Sequence, residues 1–231
     1  MPLSADRICH IVRASLFALC LAWPQISFAV TPPHSATDHV TLSAENASDD
    51  MRKIVAWVLS TNDNHGMPFV IIDKINAQAL AFNPQGSLVG AAPVLLGAAH
   101  GDISPPGIGE LALASIAPGQ RITPAGRFVA ALGVNLGGKQ ILWVDYAAAL
   151  SLHPVIVGKI SDHRFRRLAT ATAKDNRISY GCINVPAAFF SDVVRPLFNA
   201  TAGVVYILPE SQSADAAFFK SQSPRHAGVQ P

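Results

Sequence analysis

Asn176-Arg177-Ile178-Ser179-Tyr180-Gly181-Cys182-Ile183-Asn184-Val185-Pro186 is the stretch on which the reading of this chain turns. It centres on one cysteine, with a glycine directly before it and β-type residues on both sides. A glycine there lets the backbone bend tightly with little steric bulk. Such a bend brings the sulfur and neighbouring amides into one pocket, which suits a thiolate that attacks a carbonyl and must hold the resulting oxyanion. Taken alone, Cys182 also fits a small buried core residue.

The N-terminus decides how much the cysteine's position means. Arg7 and Arg13 precede or flank an apolar run, Ala14 to Trp23, that is far shorter than the roughly 20 residues that span a bilayer. Ser27-Phe28-Ala29 follows with small residues at a cleavage position. Residues 1–29 therefore read as a secretory signal peptide cut after Ala29, and the chain is expected in the periplasm or cell envelope. Cys20 follows the bulky Leu19, which argues against lipoprotein processing. Cys9 and Cys20 leave with the signal, so Cys182 is expected to stand alone with no internal disulfide.

With 231 residues, 50% hydrophobic and 14% charged, the chain has material for one domain with a real core. Its net charge of +2 is too small for a nucleic-acid binder, and processing would bring it closer to neutral. The densest basic run, Arg164-Phe165-Arg166-Arg167, reads either as a solvated face or as a contact for an anionic substrate.

Residues 30–47 are rich in Pro, Ser and Thr and read as a flexible arm. Ser48-Asp49-Asp50 is a helix start, and Ile54, Val55, Val58 and Leu59 share one face, so a helix is predicted over Met51 to Leu59. Residues 68–82 read as a β-hairpin turning at Asp73 to Asn76, and Leu88 to Ala98 as a third strand. Residues 99–121 form a long irregular loop, of a length that usually serves function or is disordered. Strands are expected from Ile122 to Ala130 and from Gln140 to Val144, with a turn at Gly137-Gly138. Residues 146–157 read as an apolar strand interrupted at His153-Pro154, where pairing ends or an edge is marked. A polar loop over 158–178 with a short helix near Arg164 to Ala169, a helix over Pro186 to Phe198 and a strand over Val204 to Leu208 complete the domain. Residues 210–231 read as a disordered tail. The fold class is mostly β with a few short helices, in one domain over 48–209.

A thiolate needs a partner that lowers its pKa from about 8.5. His153 ends an apolar strand, whereas His163 stands in a charged loop, and a strand holds a base more accurately. His153 is therefore preferred as base. No zinc-ligand spacing or phosphate loop is present, so no metal or other cofactor is expected.

The same residues resemble the L,D-transpeptidase (YkuD-type) catalytic domain. Ser179-Tyr180-Gly181-Cys182-Ile183-Asn184 matches its Ser/Thr-His-Gly-Cys-hydrophobic-Asn/Arg signature except at Tyr180. Thr123-Pro124-Ala125-Gly126-Arg127-Phe128 resembles the Thr-Pro-x-Gly-x-Phe opening of a family strand, and Phe69 to Gly97 resembles its first hairpin and third strand. The likeness extends over roughly residues 68–208. It implies a β-sandwich or open barrel in which Cys182 is the nucleophile and His153 the base. Arg177, Ser179, Tyr180, Gly181 and Asn184 would shape the site or orient the substrate. The substrate implied is a peptidoglycan stem tetrapeptide. The acyl acceptor would be a second stem peptide, a lipoprotein lysine or water, the last making a carboxypeptidase. A non-catalytic cell-wall binder is the remaining alternative, with Tyr180 marking a decayed site. The chain is expected to be monomeric. His163 has the family's usual spacing to the motif, and His153 the usual strand context, with Pro154 where the family has glycine.

Overall fold

The computed structural model describes residues 47–219. The expected signal peptide, most of the arm and the end of the tail lie outside the described residues. Helix α1 spans Asp49–Thr61, longer at both ends than the apolar spacing predicts. Ser48 caps it by accepting from the Met51 amide at 3.2 Å, Asp49 and Asp50 face the positive end of its dipole, and Asn62 ends it in the left-handed region. Met51, Ile54 and Val58 are its buried face.

Ten strands follow: β1 (Phe69–Asp73), β2 (Gln78–Phe82), β3 (Leu88–Pro93), β4 (Leu96–Gly97), β5 (Gly126–Val134), β6 (Gln140–Asp145), β7 (Leu150–Pro154), β8 (Arg177–Ser179), β9 (Ile183–Val185) and β10 (Gly203–Ile207). The β1–β2 hairpin turns where expected, with the Asp73 carboxylate accepting from the Asn76 backbone at 2.9 Å. The expected third strand is split, because β3 ends at Pro93 and the chain re-enters pairing as β4. The expected strand over 146–157 is shorter too. Residues 146–149 form a turn with Ala149 at φ 49°, and only Leu150–Pro154 pairs. Pro154 does not mark the sheet edge, since it pairs with Val185 of β9.

Eight strands form one sheet in the order β3-β2-β1-β10-β5-β6-β7-β9, while β4 and β8 form a separate parallel pair. Neighbours run antiparallel except β1–β10 and β7–β9. The sheet curls far enough that Leu95, just after its first strand, exchanges both backbone hydrogen bonds with Asn184 of its last, at 2.8 and 2.9 Å. The architecture is thus mostly strand, barrel-like and nearly closed, with few short helices.

Both faces are covered. On one, Phe69, Ile71, Leu80, Phe82, Val204 and Tyr206 pack against α1 and against Phe218. On the other, Val70, Ile72, Ala130, Leu142, Leu152, Val205 and their neighbours pack beneath a helical stretch over 187–197. That stretch contains a π-helical turn, Phe190–Val194, and Pro186 stands at its N-cap rather than as its first helical residue. Residues 210–219 are not a disordered tail: Glu210 is tied into a buried charge cluster, and Ala214 and Phe218 are buried in the core.

Candidate active site

The parallel pairing of β7 and β9 brings His153 and the cysteine together. Leu152 lies opposite Ile183 and His153 opposite Asn184, so Cys182, one residue before β9, falls beside Ser151. Ser151 and His153 are two residues apart on β7 and project to the same face. The Ser151 hydroxyl lies 3.5 Å from the Cys182 sulfur, and the sulfur lies 3.5 Å from the Ala149 carbonyl. His153 stands on the thiol's side of the sheet and is the titratable group that most lowers it. Its Nδ1 lies 2.8 Å from the Pro154 carbonyl oxygen, which only accepts. Nδ1 therefore carries the proton, and Nε2 is the ring's acceptor.

The electrostatics favour charge transfer within this pair. Burial pushes the Cys182 thiol up, but the hydrogen bonds from His153 and Ser151 outweigh it and hold the thiol below its ordinary value. Burial likewise pushes His153 down, and the hydrogen bond to Cys182, its charge and the Pro154 carbonyl outweigh that, raising the imidazole. A thiol held down beside an imidazole held up eases passage of the proton from sulfur to ring.

Asn184 supports the pair from beneath. Its amide nitrogen lies 3.3 Å from the Cys182 carbonyl and 3.4 Å from His153 Nε2, while its oxygen accepts from Arg164 at 3.2 Å. Arg164 thereby sets which end of the amide faces the histidine. It is neither a freely solvated charge nor an open substrate contact, since it also pairs with Asp162 at 3.1 Å. Arg167 is similarly turned inward, onto the Asp162 and Asp175 carbonyls.

The turn before the cysteine is built from the motif itself. Ser179 donates to the Cys182 carbonyl at 2.6 Å and accepts from the Gly181 amide at 3.1 Å. The Gly181 amide, expected at the oxyanion, is thus engaged within the turn. Gly181 has φ 131°, and a Cβ there would meet the Ile122 carbonyl oxygen at 2.9 Å, so the position demands glycine on two counts. Tyr180 lies under Arg121, whose guanidinium carbon is 4.1 Å from the ring centroid, a cation–π contact.

A cavity of about 60 Å³ opens onto the sulfur. Its walls include Tyr180, Gly181 and Cys182, the 146–149 turn through Ala148 and Ala149, and the long loop through Ile108, Leu111 and Ile116. That loop is ordered as three short 3₁₀ turns. It closes on the 146–149 turn through Gly109, where a Cβ would come 2.3 Å from the Ala147 carbonyl oxygen.

Behind the turn lies a buried charge cluster. Lys74, with a fully buried side chain, donates to the Gly101 carbonyl at 2.6 Å, the Asp102 carboxylate at 2.7 Å and the Thr123 carbonyl at 2.9 Å. Thr123 in turn donates its hydroxyl to the Gly181 carbonyl at 2.7 Å and accepts from the Gly97 amide at 2.8 Å. Glu210 stands 3.5 Å from Lys74 and binds the exposed His100 at 2.7 Å. Arg177 is committed to Glu210 and to the Lys74 carbonyl, so it braces β8 rather than offering a free guanidinium to a substrate.

The structure therefore gathers Cys182, His153, Ser179, Gly181, Tyr180 and Asn184, and places Arg177 in the supporting cluster. His163 is exposed, in the left-handed region at the start of the helix Arg164–Ala169. Sequence reading missed Ser151, and it read Arg164 as a solvated face or substrate contact rather than as a partner of Asn184. The first had a signal: a serine two residues before His153 in an apolar strand belongs on the histidine's face. Among the described residues, no group of three or more His, Cys, Asp or Glu could hold a metal ion.

No family model and no curated protein matches the sequence. Among solved structures, the chain is similar to the NMR structure of the catalytic domain from the E. faecium L,D-transpeptidase. The identity is 16%, the match covers 61% of this chain and 96% of that chain, and the TM-score is 0.31.

Proposed function

We propose that this chain is a cysteine-nucleophile acyltransferase, an L,D-transpeptidase of peptidoglycan stem tetrapeptides, exported by a signal cleaved after Ala29. The observation that carries the reading is that the parallel register of β7 and β9 sets Cys182 beside Ser151 and His153 on one face, with the imidazole Nδ1 fixed by the Pro154 carbonyl. The motif from Ser179 to Asn184, which resembles the family signature, supplies the substrate class.

In the first half-reaction the thiol proton passes to His153 Nε2, and the thiolate attacks the carbonyl of the stem peptide's third residue. The Cys182 amide stabilises the oxyanion. The C–N bond to the terminal D-alanine breaks as the imidazolium returns its proton to the departing amine, leaving a thioester. In the second, an acceptor amine attacks the thioester and loses a proton to His153, and the thiolate departs. A second stem peptide as acceptor gives a cross-link, a lipoprotein lysine an anchored protein, and water a shortened stem. Ser151 stabilises the thiolate, and Asn184 holds the histidine in place.

The test is incubation of the purified protein with muropeptides and mass analysis of the products. The expected result is loss of D-alanine with dimer formation, abolished in Cys182→Ala, and a carbapenem adduct on Cys182. Shortened monomers alone indicate a carboxypeptidase. Wild-type activity in Cys182→Ala, or muropeptide binding with no acyl-enzyme, refutes the proposal.

A further inference from the structure

We propose that Trp143 and Tyr146 form a saccharide-binding platform beside the thiol cavity, taking a pyranose ring of the glycan that carries the stem peptide. The assignment of the sugar to that glycan rests on the function proposed above; the platform itself rests on geometry. In the register of the sheet, Ala131 of β5, Trp143 of β6 and Ser151 of β7 lie opposite one another. Residues opposed across strands project to the same face. Trp143 therefore stands on the face that carries Ser151 and His153, in line with the sulfur.

The two rings stack face to face, so Trp143 backs Tyr146 and the outward face of the Tyr146 ring is the flat surface. Their centroids are 4.6 Å apart with 23° between planes. Gly133 makes room for the indole: a Cβ there would come 2.8 Å from Trp143 Cδ1 and 3.1 Å from Nε1. Asp145 stiffens the turn beneath Tyr146 by accepting from the Ala147 and Ala148 amides at 2.9 and 3.3 Å. Yet neither ring belongs to the hydrophobic clusters that hold the fold, and Tyr146 is 70% exposed. Among the described residues, neither Trp143 Nε1 nor the Tyr146 hydroxyl has a hydrogen-bond partner. A rigid aromatic face with two unspent donors at its rim matches a pyranose, which presents a flat C–H face and a rim of hydroxyl and acetamido acceptors.

Its position fits the substrate. Strands lie about 4.8 Å apart, so the Trp143 row is about 10 Å across the sheet from that of Cys182. A tetrapeptide that loses its terminal residue reacts at its third residue. Three extended residues span about 10 Å. A sugar on the platform thus lets the reacting carbonyl reach the sulfur along the 146–149 turn, whose Ala148 and Ala149 wall the cavity.

The probe is a tetrasaccharide of N-acetylglucosamine without peptide, titrated calorimetrically into the full chain. Saturable binding is expected, weakened about tenfold in Tyr146→Ala and largely kept in Tyr146→Phe, as loss of one aromatic stacking contact predicts. Tyr146→Ala binding as tightly as wild type, or no saturable binding to wild type, overturns the platform. Because the probe has no acyl group, sugar binding by a protein that forms no thioester would refute the proposed reaction and leave the platform standing.

Discussion

Replacing Lys74 by methionine tests the account of what holds the cysteine turn. The substitution keeps an unbranched apolar side chain of similar length in a fully buried position and removes the ammonium. Three acceptors within 2.9 Å lose their donor: the Gly101 and Thr123 carbonyls and the Asp102 carboxylate. Asp102 keeps Ser211 and the Glu210 and Ser211 amides, and Glu210 keeps Arg177, so the carboxylates are not wholly abandoned. Breaking a buried ion pair by removing one partner costs about 3–5 kcal/mol. With a urea m-value of about 2 kcal/mol/M, the unfolding midpoint should fall by about 2 M. The assay is urea denaturation followed by circular dichroism at neutral pH. A fall of less than about 0.5 M, or roughly 1 kcal/mol, would refute the claim that Lys74 is the electrostatic centre of the cluster. The double variant Lys74→Met, Asp102→Asn should lose less than the sum of the two singles, because the pair interacts directly.

Three further outcomes follow from geometry and charge. Burial pushes Asp102 up, but the bonds from Lys74, Ser211 and two backbone amides hold it at about 2, below its ordinary 3.8. Its contribution to stability is therefore fully present above pH 3.8 and lost as pH falls toward 2, so acid unfolding monitored by near-ultraviolet dichroism should steepen in that window and flatten there in Asp102→Asn. His153→Ala should move the pH profile of Cys182 alkylation by iodoacetamide upward, toward an ordinary thiol near 8.5, and cut the rate at pH 7 by about tenfold. His163→Ala should leave that profile in place; a shift confined to His163→Ala would overturn the choice of base. Gly109→Val should push the loop off the 146–149 turn, because even a Cβ would lie 2.3 Å from the Ala147 oxygen. Alkylation of Cys182 should then quicken several-fold at constant pH, with little change in the urea midpoint.

Where local chemistry decides, the chain could be read directly. The hairpin announced itself by its β-branched run and its Asp-to-Asn turn, α1 by its cap, and the Cys182 turn by its glycine. The preference for His153 over His163 rests on a strand end fixing a ring where a charged loop does not, and the two stand on β7 and at the start of a short helix respectively. What stayed hidden depends on partners distant in sequence. Nothing near Lys74 signals that it is fully buried, since its acceptors come from Gly101, Asp102 and Thr123. Nothing near Glu210 distinguishes it from a solvated tail residue, since it is defined by Lys74, His100 and Arg177. Arg177 looked available to a substrate for the same reason. The Trp143–Tyr146 stack required the 146–149 turn to be recognised as a turn, and the apolar run through Ala147, Ala148 and Ala149 disguised it as a strand.

The place of β10 in the sheet carries a consequence for biosynthesis. This strand is the last to be made, yet it lies between β1 and β5, parallel to one and antiparallel to the other. A nascent chain ending before Gly203 therefore lacks the strand that joins β1 to β5. It holds two ribbons whose inner edges, at β1 and β5, stay unpaired and open to other chains, and which meet only at the opposite seam, where Leu95 pairs with Asn184 and β4 with β8. Closure awaits a contact between residues about 135 apart, Phe69 and Val204, of the kind that slows folding. The thiol is aligned on its histidine by one ribbon and braced by Glu210, which arrives only after β10. The brace behind the thiol is thus completed only when almost the whole of the domain has been made.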